Sequence, residues 1–84
     1  MIEFDEDRLM WVQLYETLRK RIETGVYRER TPIPSINQLD QEFAVSRGTI
    51  RKVLGILTEE GWINPISGRG TYVRPRNEWP ADRE

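Results

Sequence analysis

Residues 35–61 carry two apolar helical patterns with a break between them, and few small folds accommodate that arrangement. Ser35 stands where its hydroxyl can cap a helix by accepting from a backbone N–H of the opening turn. Ile36, Leu39 and Phe43 then recur at helical spacing and share one face. Ala44-Val45 interrupts the run, and Ser46 is a second N-cap position. After it, Ile50, Val53, Leu54 and Leu57 mark another apolar face, and Gly61 is placed to end the helix. The stretch reads as a short helix, a tight turn and a longer helix. Arg47, Thr49, Arg51 and Lys52 fall largely off the buried face, near the start of the second helix. That end also carries the partial positive charge that suits phosphate. A helix-turn-helix works on this logic, offering N-terminal residues of its second helix to base edges in the major groove.

The flanks extend the pattern. Over residues 8–24, Leu9, Trp11, Val12, Leu14, Tyr15, Leu18 and Ile22 predict a helix of about four turns, with Asp7 as a cap and Gly25 as its terminator. Trp11, Leu14, Leu18 and Ile22 form its best stripe and are expected in the core. Residues 26–34 form a connector in which Pro32 and Pro34 favour an extended path and block helix until Ser35. Ile33, between the prolines, is expected to tuck inward. Residues 62–66 and 71–74 are rich in β-branched and aromatic side chains and flank Ser67-Gly68-Arg69-Gly70. Two short strands around such a turn make a β-hairpin. Gly68 permits positive φ and a close backbone approach to another surface, with Arg69 presented at the tip. The predicted class is α+β, mainly α: a winged helix-turn-helix of three helices and a C-terminal two-stranded wing. Its expected layout is an acidic lead-in over residues 1–7, the winged unit over residues 8–76 and a tail over residues 77–84, in which Trp79 packs locally or stays loose.

Composition narrows the function. Eighty-four residues hold one modest core and leave no space for a separate active-site domain. The chain has no cysteine, which excludes disulfides and thiolate metal sites, and no histidine, which removes the commonest metal ligand and acid–base group. Glu59 and Glu60 are adjacent and so point to different sides of a helix. No glycine-rich phosphate loop or nucleophile elbow is present. The expectation is no enzyme, no cofactor and no metal. No stretch approaches the roughly 20 apolar residues of a membrane span, and the acidic start is unlike a signal peptide, so a cytoplasmic protein is expected. Net charge is only −1, but residues 8–76 hold twelve Lys/Arg against seven Asp/Glu, a net of +5. That distribution permits a nucleic-acid partner.

The segments at residues 18–25, Pro34-Ser35, residues 43–52, residues 60–63 and residues 68–73 occur in an order and spacing that resembles the DNA-binding domain of GntR-type bacterial transcription regulators. The resemblance covers roughly residues 9–75. It implies a winged helix-turn-helix that binds a palindromic operator in double-stranded DNA as a homodimer, usually as a repressor. It implies that Arg47 and Arg51 contact bases or phosphates at the major groove and that Ser35, Ser46 and Thr49 hold the backbone. The wing at Gly68, with Arg69 beside it, is implied to approach the minor groove. Ser46 and Thr49 are explained nearly as well by capping, and Lys52 equally well by a phosphate contact or a solvated charge. Where the family usually carries an acidic then a basic residue after Pro-Ser, this chain has Ile36-Asn37, so an expected contact changes to an amide at Asn37 and operator preference can shift. The first wing strand, Asn64-Pro65-Ile66, lacks the usual basic residues and leaves Arg69 and Arg74 to supply charge. Family members normally continue into a domain that binds an effector and makes the dimer. No effector site is evident in this sequence, so a DNA-binding fragment and a natural single-domain regulator are both open. The rival class is a winged helix used for protein contact, favoured by the acidic ends and by Trp62 and Trp79 if they are exposed.

Overall fold

The computed structural model describes residues 9–80; the acidic lead-in, the cap expected from Asp7 and the last four residues of the tail lie outside them. The elements follow in the order α1 (Met10–Glu23), α2 (Ile36–Phe43), α3 (Arg47–Glu60), β1 (Ile63–Ile66) and β2 (Gly70–Val73), with a single 3₁₀ turn over Arg76–Glu78. α1 and α2 both pack on α3, and the antiparallel β1–β2 hairpin follows it. This is the predicted three helices and two-stranded wing.

The local signals act as expected around the helix-turn-helix. Ser35 Oγ accepts from the Gln38 N–H, and the Gln38 side chain accepts from the Ser35 N–H, closing a capping box. Ala44 takes the left-handed conformation at φ 55° and turns the chain, and Ser46 caps α3 by accepting from the Thr49 N–H. Gly61, at φ 98°, ends α3 in a conformation that side chains resist. α1 begins later than the pattern suggests, with Leu9 at its N-cap and no side-chain bond there.

The apolar faces converge on one core. Leu14, Leu18 and Ile22 come from α1, Leu39 and Phe43 from α2, Val45 from the turn, and Ile50, Val53 and Leu57 from α3. Trp62, Ile63 and Val73 close it from the wing, and Ile33 enters from the connector. Burial of such side chains is the main driving force for this packing, about 1.5–3 kcal/mol for each large one. Trp11 is the exception on the expected stripe: it is only partly buried, and the ammonium of Lys52 lies 4.5 Å from its ring centroid.

Two features fix how the helix-turn-helix sits on its support. Arg21, near the end of α1, donates to Glu42 of α2 at 2.6 Å and to the Tyr27 hydroxyl at 2.8 Å, with its guanidinium 5.1 Å from the Phe43 ring. The hydrogen bond that Arg21 donates to Glu42 holds its guanidinium above its ordinary range, and burial raises the Tyr27 phenol. The second feature is a departure from the simple connector. The Arg30 and Ile33 N–H groups donate to the Val73 and Thr71 carbonyls, and the Val73 N–H donates to the Thr31 carbonyl, at 2.7–2.9 Å. Residues 30–33 thus run along β2 as a short third strand, paired through Pro32 and Tyr72. Pro32 and Tyr72 form a non-hydrogen-bonded pair, so a proline, which has no N–H to give, costs this pairing no bond. It ties the wing to the segment that leads into α2.

The start of the tail is docked. Trp79 stacks on Trp62 at 5.5 Å with a 47° tilt, and its indole N–H donates to the Arg74 carbonyl at 2.7 Å. Trp62 is itself 3% exposed; its indole donates to Glu60, and Arg19 covers the ring at 4.9 Å.

Candidate nucleic-acid interface

The first turn of α3 is the focus of the exposed donors. Ser46, Arg47, Gly48 and Arg51 are exposed there, Thr49 is half-buried, and the turn holds no acidic residue. Because Ile50, Val53 and Leu57 anchor the opposite face in the core, the rigid body of the domain fixes the direction in which Arg47 and Arg51 project. The unpaired backbone N–H groups of that turn add the positive end of the helix dipole.

Each predicted residue has a definite place. Ser35 is committed as the cap of α2, yet as an acceptor only, so its hydroxyl proton is not used in that bond. Ser46 accepts from the Thr49 N–H at 3.2 Å and donates its hydroxyl to Thr49 Oγ1 at 3.0 Å, which leaves the Thr49 hydroxyl proton as the outward donor. Asn37 and Arg47, ten residues apart in sequence, are brought together: Arg47 Nη2 donates to Asn37 Oδ1. Arg47 Nε also faces Asp40 Oδ2 at 4.0 Å. Asp40 is a member of this cluster that the sequence reading missed. Its signal was present, because Asn37 and Asp40 are three apart on a helix and therefore share a face. Lys52 stands apart from the group, held over Trp11 on the α1 side.

The wing tip is built by a turn from Ile66 to Arg69, closed by the Arg69 N–H donating to the Ile66 carbonyl at 2.9 Å. Gly68 sits third in that turn at φ 77°, the position that demands positive φ. Gly68 and Arg69 are exposed, with nothing near the place a Gly68 side chain would fill. Arg74, expected to add charge to the wing, instead pairs with Glu78 at 2.9 Å. Among the described residues there is no cluster of acidic side chains able to hold a metal ion, and no helix is long and apolar enough to cross a membrane.

A capped third helix packed on two others, followed by a hairpin with a cationic tip, defines a winged helix-turn-helix. Comparison with known proteins gives the lineage. Residues 11–73 match the family described as bacterial regulatory proteins, gntR family. The transcriptional repressor NagR of Bacillus subtilis is 34% identical over 70 residues, which are 82% of this chain and 29% of that protein. The galactonate operon transcriptional repressor of Escherichia coli is 41% identical over 63 residues, 75% of this chain and 28% of that protein. Among solved structures, the DNA-binding domain of AraR in complex with operator ORR3 superposes with a TM-score of 0.73 at 32% identity, covering 87% of this chain and 90% of that one. The chain belongs to the GntR family of bacterial regulatory proteins, and its fold is that of their DNA-binding domains. It spans about a third or less of the length of these curated relatives.

Proposed function

We propose that residues 8–76 form the unit that binds operator DNA, with α3 in the major groove and the wing at the flanking minor groove. Arg51 and Arg47 read bases or phosphates, Thr49 and Ser35 donate to the backbone, and Gly68 lets the wing approach closely while Arg69 enters beside it. Two copies bind a palindromic site about one helical turn apart, and their occupancy blocks transcription. The observation that carries this reading is the exposed Arg47–Arg51 face at the capped, acid-free first turn of α3, supported by the cationic wing tip. AraR, whose DNA-binding domain is matched over most of its length, binds its operator with the same fold. Lys52, exposed and lying over Trp11, contacts a flanking phosphate.

The protein-contact reading loses the support it drew from exposed tryptophans, because Trp62 is buried and Trp79 is packed on it. Those rings are spent on the fold itself.

The test is replacement of Arg51 by Ala, with affinity for a selected duplex measured over a range of salt. A base-reading arginine costs about 1–3 kcal/mol and relaxes preference at one position. A phosphate contact weakens all sequences alike and lowers the salt slope by about 1. Unchanged affinity with an unchanged slope removes Arg51 from the interface.

A further inference from the structure

We infer that Asn37 is a positioning residue for base readout, acting through Arg47 and not by touching DNA itself; this rests on the DNA-binding reading above. The stereochemistry of the guanidinium carries the argument. Its five N–H groups form two forks, one from Nε and Nη2 along the side and one from Nη1 and Nη2 at the end. Asn37 Oδ1 takes a donor on Nη2, and Asp40 faces Nε at 4.0 Å, so α2 occupies the side fork. Nη1, the outer half of the end fork, takes no part in these contacts. Arg47 remains about half exposed, so that fork is accessible.

A chemical preference follows from which atoms are used. An asparagine reads adenine by offering its carbonyl and its amino group together. Here the Asn37 carbonyl already accepts from Arg47, which turns it toward α3 and disfavours a bidentate contact to adenine. What the pair presents to DNA is donors alone, the end fork of Arg47. In the major groove, the base edge that offers two acceptors side by side is guanine, through N7 and O6. The arrangement therefore selects guanine opposite Arg47, and Asn37 sharpens the choice by holding the fork in one orientation before DNA arrives. The acceptor comes from asparagine at position 37, two residues after the α2 cap at Ser35.

The test has two arms on the 84-residue chain. In the first, nitrogen-detected NMR of the DNA-free protein follows the Arg47 side chain. Restrained Arg47 Nη2 rotation is expected in the wild type and free rotation in Asn37→Ala; free rotation in both overturns the positioning role. In the second arm, randomised duplexes are selected with wild type, Asn37→Ala, Asn37→Asp, Arg47→Ala and the Asn37→Ala/Arg47→Ala double variant. Wild type is expected to favour guanine at one position per half-site by about 5- to 150-fold, the range of a good bidentate contact. Asn37→Ala lowers that preference about 2- to 12-fold, the ordering cost of one rotamer-rich side chain. Asn37→Asp keeps the acceptor and restores the preference, while its added charge weakens binding to all sequences. In the Arg47→Ala background, Asn37→Ala changes nothing further. An unchanged preference in Asn37→Ala, or a shift at a different base that persists without Arg47, overturns the inference. A wild type that selects no sequence refutes the DNA-binding reading itself and the guanine readout with it, whereas the first arm reports on the Asn37–Arg47 tie independently.

Discussion

Gly55 lies in the interior of α3, at a solvent-exposed position, and a Cβ added there meets no atom within 4 Å. No neighbouring atom within the described residues requires a glycine there. What remains is its cost. Glycine in a helix interior is about 0.8–1.0 kcal/mol less favourable than alanine, because the unfolded chain loses more backbone freedom on folding. The open space around the position removes the opposing penalties: Gly55→Ala introduces neither a clash nor a strained φ. The full gain of about 1 kcal/mol is expected, equivalent to about 4–8 °C in Tm for a domain of this size. Thermal unfolding followed by circular dichroism measures it directly. A urea titration should show a higher midpoint with an unchanged slope, which assigns the change to stability and not to compactness. A Tm that stays the same or falls refutes the reasoning. The same variant reports on the binding surface, since Gly55 lies one turn beyond Arg51. Affinity for DNA that changes less than about twofold keeps this part of α3 outside the contact, and a loss of tenfold, about 1.4 kcal/mol, brings a phosphate or a partner copy within reach of it.

Two further outcomes test the fold that carries the site. Ser35→Ala removes the cap of α2 and its half of the capping box, at a cost of about 1 kcal/mol, read as a lower urea midpoint. Burial raises the phenols of Tyr15 and Tyr27, the former aided by Glu60, so both are protonated more firmly in the folded chain than in the unfolded one. Their contribution is complete below the ordinary phenol value of 10.0 and is lost as pH rises through the higher folded values. Stability should therefore fall on the alkaline side of pH 10, in step with phenolate absorbance. Stability that holds steady while the phenols ionise contradicts their placement.

The helix-turn-helix is legible in the sequence because its instructions are local. Caps at Ser35 and Ser46 act on residues three positions away, and the apolar spacing of Leu39, Phe43, Ile50 and Val53 states which face is inward. The wing turn is equally local, since Gly68 answers a demand made within four residues. What the sequence does not state is set by partners far along the chain. Arg47 meets Asn37 and Asp40 only once α2 has been laid against α3, which Arg21 and Glu42 help to fix from α1. That Lys52 lies over Trp11 is likewise set by a partner some forty residues away. Residues 30–33 read as a proline-restricted connector because their hydrogen-bond partners, Thr71 and Val73, lie some forty residues away. The charge of Arg74 is diverted by Glu78, a residue that the sequence assigns to the tail. In each case the residue type was informative and its partner was not.

The most direct measurement of the central claim is selection from random duplexes by the 84-residue chain, followed by its binding and stoichiometry on the selected site at two salt concentrations. Each phosphate neutralised releases counterion, so affinity should fall steeply as salt rises. The account predicts a palindrome bound by two copies with that salt dependence. Sequence-blind binding, or binding indifferent to salt, contradicts it.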